Sequence, residues 1–155
     1  MPRPMPSFQR MWDNYPLGTA DQVKRQIGGR VDAGWITNTC VIRLSHAFNY
    51  AGDPIVRGVA GLNTISGADG KWYGYRVREM DQYLRAVYGE PNVEITSDNT
   101  QELRKAVLGY RGVIQFQVSG WSDATGHMDI WNGLQIRFSE HFERSQTVIL
   151  WRCPL

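Results

Sequence analysis

The feature that most constrains the fold of this chain is a change in its hydrophobic pattern at Gly112. Before this glycine, apolar residues recur every three or four positions, which is the spacing of amphipathic helices. After it, short runs of β-branched and aromatic residues alternate with glycine-containing turns, which is typical of strands. The chain has 155 residues, enough for one domain, and we expect residues 1–155 to form it. The sequence thus predicts an α+β fold, with helices first and a small antiparallel sheet after them.

Capping residues, glycines and prolines mark the ends of the predicted elements. Helices are expected at residues 8–12, 20–27, 40–51, 79–88 and 100–108, and strands at residues 73–77, 113–118, 128–131 and 147–151. The glycine-rich segment 58–71 is expected to be a loop. Because the last three strands are joined by tight turns, we expect them to pair as an antiparallel meander.

Charge and cysteine usage exclude several classes of function. Seventeen Lys and Arg against 15 Asp and Glu leave a net charge of +2, without the dense basic stripe of a nucleic-acid binder. No apolar run approaches the roughly 18 residues of a membrane helix, and the amino terminus lacks the apolar stretch of a secretory signal. We therefore expect synthesis in the cytoplasm and no membrane insertion. The two cysteines and three histidines lack metal-ligand spacing, so neither a metal nor a cofactor is predicted.

Cys40 is the first candidate for chemistry. It begins the third predicted helix, where the helix dipole favours a thiolate and unpaired N–H groups can receive an oxyanion. Cys40 also shares an apolar helix face with Leu44, so a buried core cysteine is the alternative interpretation. Cys153 lies beside Pro154 near the carboxyl end and is not expected to react.

His127 is the candidate partner of Cys40. It begins a predicted strand, and Asp129 follows it on the same face of that strand. A cysteine at a helix start and a histidine on a following antiparallel strand form the papain-like arrangement, in which the imidazole takes the thiol proton and a third polar group holds the ring. The alternative is a strand histidine that makes one hydrogen bond. His141 lies among charged residues, and we expect it to be solvated.

Several segments, in order along the chain, resemble one protein family. Residues 38–45, Asn-Thr-Cys-Val-Ile-Arg-Leu-Ser, resemble the nucleophile helix of the type VI secretion amidase effectors of the fourth family. Further matches are the glycine pair 28–29, the Ser-Gly-Ala-Asp of residues 66–69 ahead of an aromatic strand, and the histidine motif of residues 120–127 followed by Trp-Asn-Gly at 131–133. The resemblance therefore covers nearly the whole chain.

The resemblance implies a papain-like NlpC-type fold and a cysteine–histidine amidase. The implied substrate is the peptide stem of bacterial peptidoglycan, cut between D-glutamate and meso-diaminopimelate. It also implies delivery by the type VI secretion apparatus into the periplasm of a rival cell, and a cognate immunity protein that protects the producer. Cys40 and His127 match the family's motifs directly and are the implied nucleophile and base.

The third catalytic residue does not carry over from the family. The position that the family fills with its catalytic aspartate is Phe138 in this chain. Either Asp129 takes the role from the strand of His127, or a small insertion moves it to Glu140. Asp129 is preferred because it needs no insertion. The later cysteine pair of some members is also absent, so the resemblance implies no disulfide there.

The sequence identifies residues that contact the substrate less specifically than it identifies Cys40 and His127. Arg43 lies one turn along the nucleophile helix and offers a cation to a substrate carboxylate, while Trp121, Asp123 and Trp131 flank the histidine. Two other functions stay open on the residues alone. One is a non-catalytic peptidoglycan-binding module that uses only the groove, and the other is a Cys–His acyltransferase or deamidase acting on a protein substrate.

Overall fold

The computed structural model describes residues 2–118 and 126–155. The helices in this part of the chain are α1 (Phe8–Asp13), α2 (Ala20–Ile27), α3 (Cys40–Tyr50), α4 (Val77–Tyr88) and α5 (Thr100–Val107). The strands are β1 (Thr64–Ser66), β2 (Trp72–Gly74), β3 (Val93–Thr96), β4 (Gly112–Val118), β5 (His127–Trp131) and β6 (Ser145–Arg152). The predicted α+β class is confirmed.

Helices α1, α2 and α5 begin where the sequence supplies capping side chains. At α2, the Thr19 hydroxyl accepts from the Gln22 N–H, and the Gln22 side chain accepts from the Thr19 N–H, which completes a capping box. At α5, the Asn99 side chain accepts from two backbone N–H groups of the first turn. The five predicted helices are confirmed to within two residues at each end.

The sequence analysis missed two short strands, β1 and β3. The segment expected to be a loop contains β1, which pairs with β2 in a small separate sheet. The predicted strand at residues 73–77 is found as β2 but is shorter, because α4 already begins at Val77. Strand β3 pairs with β6 at the edge of the main sheet, where its side chains alternate between half-buried and exposed.

The main sheet has the strand order β3-β6-β4-β5, with each neighbouring pair antiparallel. The predicted meander is therefore wrong, because β6 pairs with β4 rather than with β5. The reason lies at the outer edge of β5, where the returning chain forms a bridge between Trp131 and Ile136. The Arg137 N–H also donates to the Ile130 carbonyl at 2.8 Å. This segment occupies the free edge of β5, so β6 pairs on the other side of β4.

The main sheet separates two apolar clusters. Helix α3 packs against β5, and its apolar face joins residues of α1, α4 and one sheet face in the larger cluster. Helix α5 packs on the opposite face of the sheet, and its apolar residues belong to the smaller cluster. The contact between α3 and β5 brings Cys40, the first residue of α3, near His127, the first residue of the edge strand β5. No helix within residues 2–118 and 126–155 is long and apolar enough to cross a membrane.

Candidate active site

Cys40 is the first residue of α3, as predicted, and it is 4% exposed. Its N–H donates to the Oδ1 atom of Asn38 at 3.1 Å. The carbonyl of Thr39 accepts the first helical hydrogen bond, from Arg43. The N–H that the sequence analysis assigned to an oxyanion is thus held by a side chain, which a ligand oxygen must displace.

His127 lies at the start of β5 and is 6% exposed. Its Nε2 atom lies 2.7 Å from Oδ2 of Asp129. Burial lowers the pKa of His127, but hydrogen bonds with Asp129 and Cys40 outweigh it and raise the pKa to about 9. Because Nε2 faces the carboxylate, Nδ1 is the nitrogen left for the thiol. The imidazole is therefore held between the two other candidate residues.

Asp129 is fully buried and has several hydrogen-bond donors around its carboxylate. Besides His127, it accepts from the N–H groups of Ile130 at 2.8 Å, Phe138 at 3.2 Å and Ser139 at 2.9 Å. A buried charge is tolerated only when such donors replace the lost water. The segment that covers the edge of β5 therefore also fixes the carboxylate that faces the imidazole.

Glu140, the alternative third residue, lies elsewhere. Its carboxylate pairs with Arg104 of α5 at the surface. The structure brings Asp129 to His127 and does not bring Glu140 there. Phe138 contributes its backbone N–H to Asp129, and its ring lies beside the Arg43 guanidinium.

Cys40 and His127 meet at the wall of an open pocket of about 380 Å³, with Asp129 buried behind His127. Its lining residues are Ala20, Thr37, Asn38, Thr39, Cys40, Arg43, Gly126, His127, Phe138, Ser139 and His141. Residues with hydroxyl, amide and imidazole groups are among them, as in sites that orient a polar ligand. The thiol and the imidazole thus face the same space.

Arg43 lines this pocket, as expected, but its guanidinium is only 1% exposed. It donates to the Thr39 hydroxyl at 3.1 Å and to the carbonyls of Pro16 at 3.0 Å and Gly18 at 2.8 Å. The guanidinium carbon also lies 3.9 Å from the centre of the Phe138 ring. These contacts link the segment between α1 and α2, and the segment that follows β5, to the start of α3. Arg43 is a structural clamp of the pocket wall in this structure.

Of the three other candidates for substrate contact, Trp131 is the one that lies in the described part of the chain, and it does not line the pocket. Trp131 is fully buried, and its Nε1 atom donates to the Val107 carbonyl at 2.9 Å. It packs on Phe142 in the smaller cluster, on the same face of β5 as His127 and Asp129 but at the opposite end of the strand from His127. Its assignment as a groove residue is therefore wrong. Trp121 and Asp123 lie outside the described residues.

His141 is the residue that the sequence analysis missed. It was expected in solvent, but it is half-buried in the pocket wall, with its ring centre 4.8 Å from that of His127. Its Nε2 atom lies 3.1 Å from the Ser139 hydroxyl oxygen. Burial lowers the pKa of His141, and so does the neighbouring imidazole of His127. Nothing in the sequence signals this contact, because it depends on how residues 138–141 fold back over β5.

No group of three or more His, Cys, Asp or Glu side chains within residues 2–118 and 126–155 is arranged to hold a metal ion. The chemistry available from the described side chains is that of a thiol beside an imidazole and a carboxylate. This is the combination in which a thiol is activated as a nucleophile.

Comparison with solved structures identifies the class of protein as an effector of bacterial type VI secretion. The effector Tae4 from Salmonella typhimurium, solved with the immunity protein Tai4 from Enterobacter cloacae, superposes with a TM-score of 0.88 at 30% identity, covering 97% of this chain and 100% of that one. Tae4 from Enterobacter cloacae, solved alone, gives a TM-score of 0.86 at 30% identity and 99% coverage of both chains. The Enterobacter cloacae Tae4–Tai4 complex gives a TM-score of 0.86 at 30% identity, covering 96% of this chain and 99% of that one.

The family follows from the sequence itself. The model of Tae4, described as type VI secretion system amidase effector protein 4, matches residues 36–151. The chain belongs to this family, and the resemblance stated above is confirmed. No curated protein sequence matches the chain significantly. The matched region includes α3 and β5, and therefore both Cys40 and His127.

Proposed function

We propose that this amidase effector is a cysteine hydrolase of peptidoglycan stem peptides, in which residues 1–155 act as one domain of the papain-like NlpC type. The observation that carries the proposal is the position of His127, which has Asp129 at 2.7 Å on one nitrogen and Cys40 on its other side. The nucleophile stands at a helix start packed against an antiparallel strand that supplies the imidazole. This is the order of parts that papain-like chemistry needs.

The proposed reaction has two halves. The proton of the Cys40 thiol passes to His127, whose raised pKa favours the protonated ring, and the sulfur of the resulting ion pair forms a bond to the amide carbonyl carbon. The C–N bond then breaks, the amine leaves with the proton of His127, and the acyl group stays on sulfur as a thioester. In the second half, His127 takes a proton from water, the hydroxide attacks the thioester, and the C–S bond breaks. His127 returns its proton to the sulfur, and the new carboxyl group is released and loses its proton to solvent. Asp129 holds the ring and stabilises its protonated form.

The proposed oxyanion donor is the Cys40 N–H. Its present acceptor, the Asn38 carboxamide oxygen at 3.1 Å, is a side-chain group that can rotate away. The incoming carbonyl oxygen takes its place as negative charge develops on it. Donation to a charged oxygen is stronger than donation to the neutral amide, which favours the exchange in the transition state.

The proposed bond lies between the γ-carboxyl of D-glutamate and the amine of meso-diaminopimelate, as the resemblance implies. We also propose that the protein acts in the periplasm of the recipient cell and that a cognate immunity protein inhibits it. The Tae4 structures solved with Tai4 support the second point, since those relatives bind immunity proteins.

Digestion of purified sacculi, followed by mass spectrometry of the soluble fragments, tests this function. We expect fragments with a new free amine on diaminopimelate and a new carboxylate on glutamate, and none from the Cys40→Ala protein. A new amine on alanine or glutamate contradicts the bond and leaves the mechanism standing. Intact sacculi together with a folded protein contradict the hydrolase. Binding to sacculi without cleavage would indicate a binding module, and modification of an added protein would indicate an acyltransferase or deamidase.

A further inference from the structure

A second cleft adjoins the catalytic pocket. It has a volume of about 200 Å³ and is lined by Trp35, Ile36, Thr37, Asn38, Tyr75 and Arg76. Two of these residues, Thr37 and Asn38, also line the pocket that contains Cys40. The two spaces therefore adjoin at these residues. Nothing in the mechanism proposed above uses this cleft.

Trp35 is the unusual member of the cleft because it is 60% exposed. Its ring contacts the ring of Tyr75 edge to face, with 5.0 Å between the centres. The guanidinium carbon of Arg76 lies 4.9 Å from the centre of the same Tyr75 ring, and Arg76 is held by Glu79 at 3.1 Å. A tryptophan so exposed contributes little to a core, whereas Trp, Tyr and Arg together are the residues that dominate binding surfaces.

The segment that carries Trp35 is held in place from inside the protein. The Lys24 side chain, only 6% exposed, donates from Nζ to the carbonyls of Ala33 at 2.9 Å and Ile36 at 2.7 Å. The Ile36 N–H also donates to the Ala33 carbonyl. Lysines are rarely this buried, and here the ammonium closes a short loop around Trp35. The indole is thus presented on a fixed backbone, which lowers the entropy cost of binding a ligand.

We propose that this cleft is a saccharide subsite, which binds the sugar that carries the stem peptide while the peptide occupies the catalytic pocket. The inference rests on the proposed function. A sugar ring has a flat face of C–H groups that packs on an indole, and a rim of hydroxyl and amide groups that bonds to polar side chains. Trp35 supplies the aromatic surface, and Asn38 and Arg76 supply polar groups beside it.

The length of the substrate fits two adjoining spaces. In a peptidoglycan stem, two amino acids precede the proposed bond and connect it to the sugar. Two extended α-linked residues span roughly 7 Å, and the γ-linkage of D-glutamate adds two bonds, so the sugar lies beyond the peptide that fills the pocket. A subsite that shares Thr37 and Asn38 with the pocket borders it, as binding of such a sugar requires.

The test compares two substrates that differ only in the sugar, a disaccharide–tetrapeptide and the same tetrapeptide without sugar. We expect Trp35→Ala to lower kcat/KM on the sugar-bearing substrate by about fivefold to tenfold, mainly through KM, and to leave the free peptide unchanged. Trp35→Phe should recover part of the loss. The control is Tyr110→Ala, since Tyr110 is an exposed aromatic residue that lines neither cleft. Equal loss on both substrates, or no loss on either, overturns the subsite.

A binding measurement separates this inference from the proposed activity. Calorimetric titration of the Cys40→Ala protein with the two compounds needs no turnover. Tighter binding of the sugar-bearing compound, lost in the Trp35→Ala/Cys40→Ala protein, supports the subsite even where the cleavage assay fails. Equal binding of both compounds by the Cys40→Ala protein contradicts it even where cleavage proceeds. A defect of Trp35→Ala confined to binding of an immunity protein, with both compounds bound normally, would assign the cleft to a protein partner and also overturn it.

Discussion

The two cysteines lie in regions that are alike in burial and different in surroundings. Cys40 is 4% exposed and Cys153 is 7% exposed, and both belong to the larger apolar cluster. Burial raises the pKa of Cys153 to about 12, although a hydrogen bond with the Val113 backbone lowers it in part. Cys40 instead begins a helix, opens onto a pocket and lies beside His127.

This difference shows that low exposure does not by itself make a thiol inert. Cys153 follows a strand, and its N–H is bonded to the Arg111 carbonyl at 2.9 Å, so both its backbone and its side chain belong to the core. Cys40 has the same exposure, but an imidazole stands beside its sulfur and its N–H is held by a side chain. Reactivity is decided by these neighbours.

The sharpest test of the comparison removes each thiol in turn. We expect Cys40→Ala to lower the rate of sacculus digestion by about 10⁴-fold or more, because a nucleophile and its base act as a unit. His127→Ala should cost about as much. Cys153→Ser should leave kcat unchanged and lower the free energy of unfolding by about 1 kcal/mol, since it places a hydroxyl in the core. Turnover by a folded Cys40→Ala protein would contradict the mechanism.

The next largest effect separates the two candidate carboxylates. We expect Asp129→Asn to lower kcat by about 10²- to 10³-fold, because the neutral amide no longer stabilises the protonated ring. Glu140→Gln, which removes a surface ion pair with Arg104, should stay within about twofold of the wild type. Steady-state kinetics on a soluble muropeptide measures both. The reverse order would assign the role to Glu140 and contradict the geometry.

The pH dependence of activity gives a second test of the Asp129→Asn variant. His127 is the acid that protonates the leaving amine, and its pKa is about 9. The raised pKa keeps the ring of the free protein protonated up to that pH, so we expect kcat/KM to fall as pH rises through about 9. In Asp129→Asn this alkaline limb should move to lower pH, since the hydrogen bond that raises the pKa is weakened. An unmoved limb would mean that Asp129 does not act through the imidazole.

Thiol labelling tests the comparison without any substrate. We expect iodoacetamide to modify Cys40 at least about 10²-fold faster than Cys153 at pH 8, because a thiol with a pKa of about 12 holds roughly one part in 10⁴ as thiolate there. Peptide mapping by mass spectrometry distinguishes the two sites. His127→Ala should slow the labelling of Cys40 and leave Cys153 unchanged. Equal rates in the folded protein would show that the imidazole does not activate Cys40.

The sequence predicts the positions of the candidate site residues better than it predicts the sheet. Local rules placed Cys40 at a helix start and the Asp129 carboxylate two positions from His127 on the same strand face, and the structure has both there. The strand order and the place of His141 were missed because both depend on residues 136–141, which return along the edge of β5. That segment has no regular spacing of apolar residues. It is held instead by backbone N–H groups that bond to Ile130 and to the Asp129 side chain.

Other errors have the same physical origin. Trp131 was placed beside the groove from its nearness in sequence to His127, and strand alternation does put both on one face, yet they lie at opposite ends of β5. Arg43 was placed correctly at the pocket, but its three hydrogen-bond partners are far apart in sequence, so its role as a clamp is visible only in the fold.

The smallest expected effect concerns the N–H of Cys40, which differs from that of Cys153 in having a side-chain acceptor. Asn38→Ala frees this N–H for the oxyanion, so we expect kcat on the free tetrapeptide to stay within about threefold of the wild type. Asn38→Asp replaces the acceptor with a carboxylate that holds the N–H more strongly and repels the developing oxyanion, and we expect kcat about tenfold below that of Asn38→Ala. The free tetrapeptide avoids any effect on the saccharide subsite. An inactive Asn38→Ala protein with normal folding would mean that the carboxamide itself donates to the oxyanion, and that the exchange at the Cys40 N–H does not occur.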